Sequence, residues 1–501
     1  MALPNLIFAK PKPGVTTAGV TLAVYAPFGT DAVLSRYPGD VPLTIKQHPL
    51  VLNLVEVARA GINVSALIDL YADDTWLVEI PAGKPGSATV TSRWKQQMDA
   101  INNLSGFLRH TRAKRPGTVV VLAMEGHGAG YLPEIDISQL TTAKLTKNGS
   151  LEWQITDSKA APLLPMGSPL LPMGSPLLPM GSPLLPVNHM PLSTWGLAKA
   201  LSDTLADGGP PFGVIHFNNC FNMSVELLHT VAPYAEFATG YMNYNFFTAG
   251  ESYPTVFDKL KVAGSASTAQ LATWLAQAND ALLASMTHHP TVGGVVQLSK
   301  MAGIATRVDA LAKALITALT SATAAARPGV VDKIRGAIQL AQQYDTVTTM
   351  KLDVPDELTD LCSLAGQLTT FSVNAVQVQK AATDLQKALA GIKIYGANDT
   401  PWPDPGVRWD FTSPALAMNI LCPDPALRGL WDWRSPYYLQ VQPDPALPPV
   451  QPAVIDFLKN TAWVRFIIEY HRDVQFKGLL PAAIPEYPVF KGRLKTRPPL
   501  P

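Results

Sequence analysis

Short apolar runs alternate with amphipathic stretches over the first half of the chain. Residues 19–25 (GVTLAVY) and 63–70 (NVSALIDL) have the length and β-branched content of buried strands, and 75–80 (TWLVEI) alternates with a strand period. Residues 51–60 form a helical pattern stopped by Gly61. Another runs over 92–112, with Trp94, Met98, Ile101, Leu104, Phe107 and Leu108 at helical spacing. The run 118–124 (TVVVLAM) predicts a central strand, 193–205 a helix capped by Ser193, 212–217 (FGVIHF) a further strand, and 224–230 the start of the next helix. Strands alternating with helices predict an α/β fold, a mostly parallel sheet covered on both faces. Such sheets carry their chemistry beyond the carboxyl ends of the strands.

Residues 162–186 break this rhythm with three copies of PLLPMGS and part of a fourth. Two prolines per seven residues exclude a coiled coil, because each removes a helix donor and clashes with the preceding turn. The array is expected to be an extended, protease-accessible loop; an expansion merely tolerated at the surface is the alternative. From about residue 265 the pattern becomes long and helical, over 298–323, 330–344 and 373–389. Residues 396–452 are rich in Pro and Trp, with one strand-like run at 415–421, and 453–470 predict a last helix. The expected division is therefore 1–264, an α/β domain carrying the 162–186 insertion, and 265–501, a helical domain with an irregular part at 396–452.

At 501 residues the chain is too long for one simple core. With 47% hydrophobic and 15% charged residues it has the make-up of a packed protein. A formal charge of +1, without Lys or Arg blocks, gives no field for nucleic acid or an anionic membrane. The start MALPNLIFAKPKPG is not a secretory signal, and no apolar stretch is long enough to span a bilayer. Cys220, Cys362 and Cys422 are odd in number and far apart, which is neither a disulfide framework nor a zinc pattern. A cytoplasmic protein with free thiols is expected.

The strand TVVVLAM runs directly into Glu125-Gly126-His127-Gly128-Ala129-Gly130, and FGVIHF into Asn218-Asn219-Cys220. Two neighbouring strand ends carrying an imidazole and a thiol meet the needs of thiol catalysis. An unperturbed thiol, with a pKa of ~8.5, is only slightly ionised near neutrality. A nearby imidazole takes its proton and later protonates the leaving amine. The backbone N–H groups of Gly128 and Cys220 are candidates for the oxyanion site. Taken singly, a cysteine after a strand is more often a small buried hydrophobe, and His-Gly a common turn. Cys362 and Cys422 have no nearby histidine, His216 lies inside its strand, and His288 with His289 lacks partners at metal spacing.

These landmarks, in this order, resemble the clostripain-like cysteine peptidases, prokaryotic homologues of caspases. EGHGAGY resembles that family's histidine motif, and IHFNNCFNMSVELLHTVAPYAEFATG its cysteine motif, with Glu226 six residues after the cysteine. GGVVQLSKMAGIATRVDALAKAL resembles its helical segment, and DELTDLCSLAGQL and NTAWVRFIIEYHR its later landmarks. The resemblance implies a caspase-like αβα sandwich with an added C-terminal domain, a His127/Cys220 dyad, and endopeptidase activity on protein or peptide substrates.

Two features depart from that family's pattern. The aspartate expected two residues before the cysteine, which favours Arg or Lys at P1, is Asn218 here, and a neutral amide lacks the charge-assisted grip of a carboxylate. Basic specificity then requires another acid, such as Glu125 or Glu251. The separation of 93 positions from His127 to Cys220 is also unusually long, and the array fills part of it. Because the family matures by cleavage in this interval, the array is expected to keep the enzyme latent until an upstream protease cuts it. For self-cleavage after a basic residue, Lys144, Lys147 and Lys159 are the candidates. No cofactor is expected, with calcium, needed by some relatives, kept open: no EF-hand-like loop is visible, but scattered acids could bind it. The competing reading is a weakly active or inactive caspase-like scaffold that binds peptide or protein partners.

Overall fold

A computed structural model of the chain describes residues 14–28, 36–37, 41–42, 44–70, 75–92, 101–126, 128, 130–134, 192–243, 245, 248–287, 292–344, 358–371, 375–398, 411–423, 434–439 and 454–472. The expected strands become β1 (Val20–Pro27), β2 (Asn63–Asp69), β3 (Thr75–Ile80), β5 (Val119–Met124) and β6 (Phe212–Phe217). Four more complete the sheet: β4 (Thr89–Ser92), β7 (Ala235–Tyr241), β8 (Val292–Gln297) and β10 (Lys393–Asn398). A short pair is formed by β9 (Leu358–Asp360) and β11 (Asn419–Leu421). The nine-stranded sheet has the order β10-β8-β7-β6-β5-β1-β2-β3-β4. Its centre, β7-β6-β5-β1-β2, is parallel, and both flanks are antiparallel.

The side-chain alternation of the central strands builds two cores. Val20, Leu22, Val24 and Ala26 of β1 face one side, with Val121 and Ala123 of β5. Helices α1 (Pro49–Arg59), α5 (Tyr253–Ala263) and α6 (Thr268–Thr287) cover that side. Ala23, Tyr25, Leu122 and Met124 face the other. There lie α2 (Ile101–Lys114), α3 (Thr194–Leu205), α4 (Val225–Val231), α7 (Met301–Ser321), α8 (Arg327–Leu340), α9 (Leu361–Thr369) and α10 (Val376–Ile392). This is the αβα sandwich expected. Ser193 caps α3 as anticipated, accepting the Gly196 N–H at 2.8 Å, and Ser224 caps α4 by accepting the Leu227 N–H at 3.1 Å.

Two expectations are corrected. GGVVQ, expected to open a helical segment, is most of β8, and the α-helix starts only at Met301. The single helix over 453–470 is two, α12 (Asp456–Asn460) and α13 (Trp463–His471), after the short α11 (Ser435–Tyr438). The break is fixed from outside: the Asp309 carboxylate on α7 accepts the Ala462 N–H at 2.9 Å, capping α13. The expected division at 264/265 falls within one sheet, because β8 and β10 lie beyond it and continue from β7. The helices after residue 300 bury their apolar faces in the same core as α2 and α3. A chain ending at residue 264 strips β7 of its neighbour and uncovers that core, so it is expected to show no cooperative thermal transition by circular dichroism. A sharp melt would mark residues 1–264 as a unit that folds alone.

Candidate active site

The parallel pairing of β5 with β6 sets Met124 beside Phe217, so Glu125 and Asn218 leave the sheet level with each other. The Asn218 N–H donates to the Met124 carbonyl at 3.0 Å, and the Glu125 N–H to Tyr25 at 2.9 Å. His127 and Ala129 lie outside the described residues; Gly126, Gly128 and Gly130 bracket them. A Cβ on Gly128 would lie 2.1 Å from the Cys220 carbonyl oxygen and 3.0 Å from the Asn219 side chain, so only glycine permits this approach. The Gly130 N–H donates to Asn222 Oδ1 at 3.1 Å, and Asn222 Nδ2 to Asn219 Oδ1 at 2.6 Å. The loops carrying the histidine motif and the cysteine are thus laced together, with Gly128 against Cys220.

Cys220 is 8% exposed, and its Sγ is gripped by both backbone groups of Asn245. It accepts the Asn245 N–H at 3.3 Å and donates to the Asn245 carbonyl, also at 3.3 Å. Burial pushes the thiol up to about 12, with the Asn245 N–H pulling weakly the other way. Phe221, the next residue, has φ +60, a left-handed conformation that costs a side-chain-bearing residue roughly 1–2 kcal/mol. Its N–H donates to the Asn243 carbonyl at 2.9 Å.

On the α5/α6 side of the sheet a polar cluster is sealed beneath the thiol. Asn218 Nδ2 donates to both Glu125 carboxylate oxygens at 3.1 Å and to Thr248 Oγ1 at 3.1 Å, while its Oδ1 accepts from Asn245 Nδ2 at 2.9 Å. The Tyr253 hydroxyl donates to Glu125. Thr248 reaches Asn279 Oδ1 on α6 at 3.2 Å, and Asn279 Nδ2 reaches the Tyr241 hydroxyl at 2.8 Å. Burial raises Glu125 to about 7, although hydrogen bonds from Tyr253 and Asn218 oppose it. His216 faces the same core, edge-on to Tyr253 at 5.8 Å, and burial lowers it to about 3. Glu251 is exposed in the turn before α5 and takes no part in the cluster's hydrogen bonds.

The opposite face braces the loops from distant sequence. Burial raises the Glu226 carboxyl on α4 to about 7; its Oε1 accepts from the Leu421 N–H at 3.0 Å and the Tyr438 hydroxyl at 2.9 Å. Arg434, fully buried, donates to the carbonyl of Tyr131, the last residue of the histidine motif, at 3.3 Å. Cys362 and Cys422 are buried and unbridged, far from this chemistry in sequence. No group of three or more His, Cys, Asp or Glu side chains suited to a metal ion occurs among the described residues. Nor is any described helix long and apolar enough to cross a membrane.

Sequence reasoning selected Glu125, Gly128, Asn218 and Cys220, and these four do come together. It missed Asn222, Asn245, Asn279, Tyr253 and Asn419. The available signal was the density of asparagine in otherwise apolar stretches, FNNCFN and YMNYN, where a buried amide demands a partner.

The clostripain family model matches residues 188–415, a span that includes Cys220 but not His127. No curated protein matches the chain. Among solved structures, the chain is similar to a secreted C11 cysteine protease from Bacteroides thetaiotaomicron in complex with an irreversible peptide inhibitor. That match has 14% identity and a TM-score of 0.48, covering 81% of this chain and 94% of that one. It is also similar to an inactive zymogen C11 protease from Parabacteroides distasonis, at 14% identity and a TM-score of 0.46, covering 83% of this chain and 95% of that one.

Gly128→Ala tests the loop contact. The added methyl forces the two loops apart, so any cysteine-dependent turnover is expected to fall about 100-fold, the scale of a misplaced reacting group, with the melting temperature within several degrees of wild type. Unchanged turnover would mean that this contact does not set the site.

Proposed function

We propose, taking the match of the clostripain family model to residues 188–415 as support, that this chain is a cysteine endopeptidase in which His127 and Cys220 form the catalytic pair. The observation that carries this reading is the seating of Gly128, next in sequence to His127, against the Cys220 carbonyl. In the reaction, His127 takes the Cys220 proton as sulfur attacks the scissile carbonyl. The Gly128 and Cys220 N–H groups hold the oxyanion, and the imidazolium returns its proton to the leaving amine. Water then releases the acyl group from sulfur. A reducing compartment, the cytoplasm, suits three unbridged cysteines.

The intact chain is latent in this proposal. A thiol at about 12, enclosed by Asn245, is a poor nucleophile near neutrality. Cleavage between His127 and Cys220, in or near residues 162–186, frees the loops and releases the thiol from Asn245. The array itself lies outside the described residues. It contains no Lys or Arg, so an enzyme specific for basic residues does not cut itself there, and a separate protease does.

Basic P1 specificity is assigned to Glu125, once cleavage of the chain uncovers its buried carboxylate, in place of the acid that Asn218 lacks, because the Asn218 amide is bound to both Glu125 oxygens. Tyr253 and Asn218 are its hydrogen-bonding neighbours, and burial holds it near 7.

Measurements of activity, latency and specificity test these statements. Peptide-library profiling before and after limited proteolysis should show turnover by the cut wild type, and about 10³-fold less by Cys220→Ala and His127→Ala. Cleavage by Cys220→Ala at the wild-type rate rules out the thiol mechanism. Deleting residues 162–186 should alter latency, and unaltered activation discards the role given to the array. The ratio of kcat/KM for Arg over citrulline at P1 should rise about tenfold from pH 6 to pH 8, as Glu125 goes from neutral to charged. Glu125→Gln should flatten that ratio. A ratio independent of pH in wild type removes Glu125 from specificity.

A further inference from the structure

Asn419 is buried in β11, nearly two hundred residues beyond the Phe221 carbonyl it touches. Its side-chain Nδ2 donates to two backbone carbonyls, Phe221 at 2.9 Å and Met242 at 2.8 Å. Its own N–H donates to the Met223 carbonyl at 2.9 Å. Its Oδ1, with no hydrogen-bond partner among the described residues, lies 3.6 Å from where a Cβ on Gly130 would stand. One amide thus touches the loop after Cys220, the loop after β7 that leads to Asn245, and the end of the histidine motif.

We infer that Asn419 is a positioning residue for the Cys220 centre, holding the Cys220–Phe221 peptide in its left-handed setting and tying it to the strand end that carries Asn245. This rests on the peptidase reading above. Phe221 is not glycine, so its φ of +60 persists only where its surroundings over-determine it. Two hydrogen bonds do so, the Phe221 N–H to Asn243 and the Phe221 carbonyl to Asn419. A change of φ at Phe221 swings the preceding peptide, and with it the Cys220 carbonyl packed against Gly128. It also shifts Sγ relative to Asn245. An amide suits the position because two N–H donors on one nitrogen serve two carbonyls at once.

The full chain is compared with Asn419→Ala, Asn419→Ser and Thr359→Val. The last removes a buried hydroxyl from β9, the partner strand of β11, and controls for stability alone. In proteolysed enzyme, Asn419→Ala should lower kcat at least 30-fold with KM within threefold of wild type. Asn419→Ser, with one donor, should fall in between, and Thr359→Val should retain kcat. In intact chain, iodoacetamide labelling located by mass spectrometry should quicken at Cys220 at least fivefold in Asn419→Ala. Labelling of Cys362 and Cys422 should stay at wild-type rates. If Asn419→Ala has no cooperative melt, Asn419→Ser carries the decision, with a tenfold fall in kcat expected. The inference is overturned if kcat stays within threefold, if the loss lies in KM, or if all three cysteines quicken together. Should wild type cleave no peptide at all, the peptidase reading fails instead, and the selective labelling of Cys220 still decides the role of Asn419.

Discussion

The in-register parallel pairing of β5 with β6 is the constraint on which the rest of the centre depends. It ends two apolar strands at one level, so the polar residues that follow emerge side by side although they are 93 positions apart in sequence. Everything closer than that is a matter of Cβ atoms. A glycine at position 128 lets one backbone rest on the other, and any larger residue holds them apart. Backbone seated on backbone is far less compliant than contact between flexible side chains, which gives a two-loop site the stiffness that catalysis by orientation needs.

Two buried carboxylates, one on each face of the sheet, organise what surrounds this contact. Glu125 gathers Asn218 and Tyr253 on the α5/α6 side, and Glu226 gathers Leu421 and Tyr438 on the other. Burial lifts both to about 7, so each stands on the boundary between a charged acceptor and a neutral acid. Such clusters specify geometry more than they add stability, since each polar atom removed from water must regain a partner in one particular arrangement. The Glu125 cluster ends at Asn245, whose backbone encloses the thiol.

Strand ends and their chemistry were legible because they follow from local pattern. TVVVLAM and FGVIHF are uninterrupted apolar runs, and a polar cluster directly after such a run has little choice but the sheet's carboxyl edge. Of the strands that escaped notice, β7, β8 and β10 carry Gly240, Gly293, Gly294 or Gly396, which break the two-residue alternation. Their pairing partners, not their own sequences, make them strands. The same holds for the site. Cys220 could be picked from its place in the chain, but Asn419 and Asn279 act through contacts spanning tens to hundreds of residues, for which no local spacing gives a sign. The split of the last helix belongs here too, since its cause is a carboxylate on α7.

The reach of Glu226 to Leu421 and Tyr438 has a bearing on the order in which the molecule comes into being. Contacts across some two hundred positions form late, because closing so long a span must wait for its far end. During synthesis the cysteine leaves the ribosome long before the residues that buttress it. A chain that has emerged only as far as the cysteine therefore has its thiol but not its brace, and the centre is assembled only once Leu421 and Tyr438 have followed.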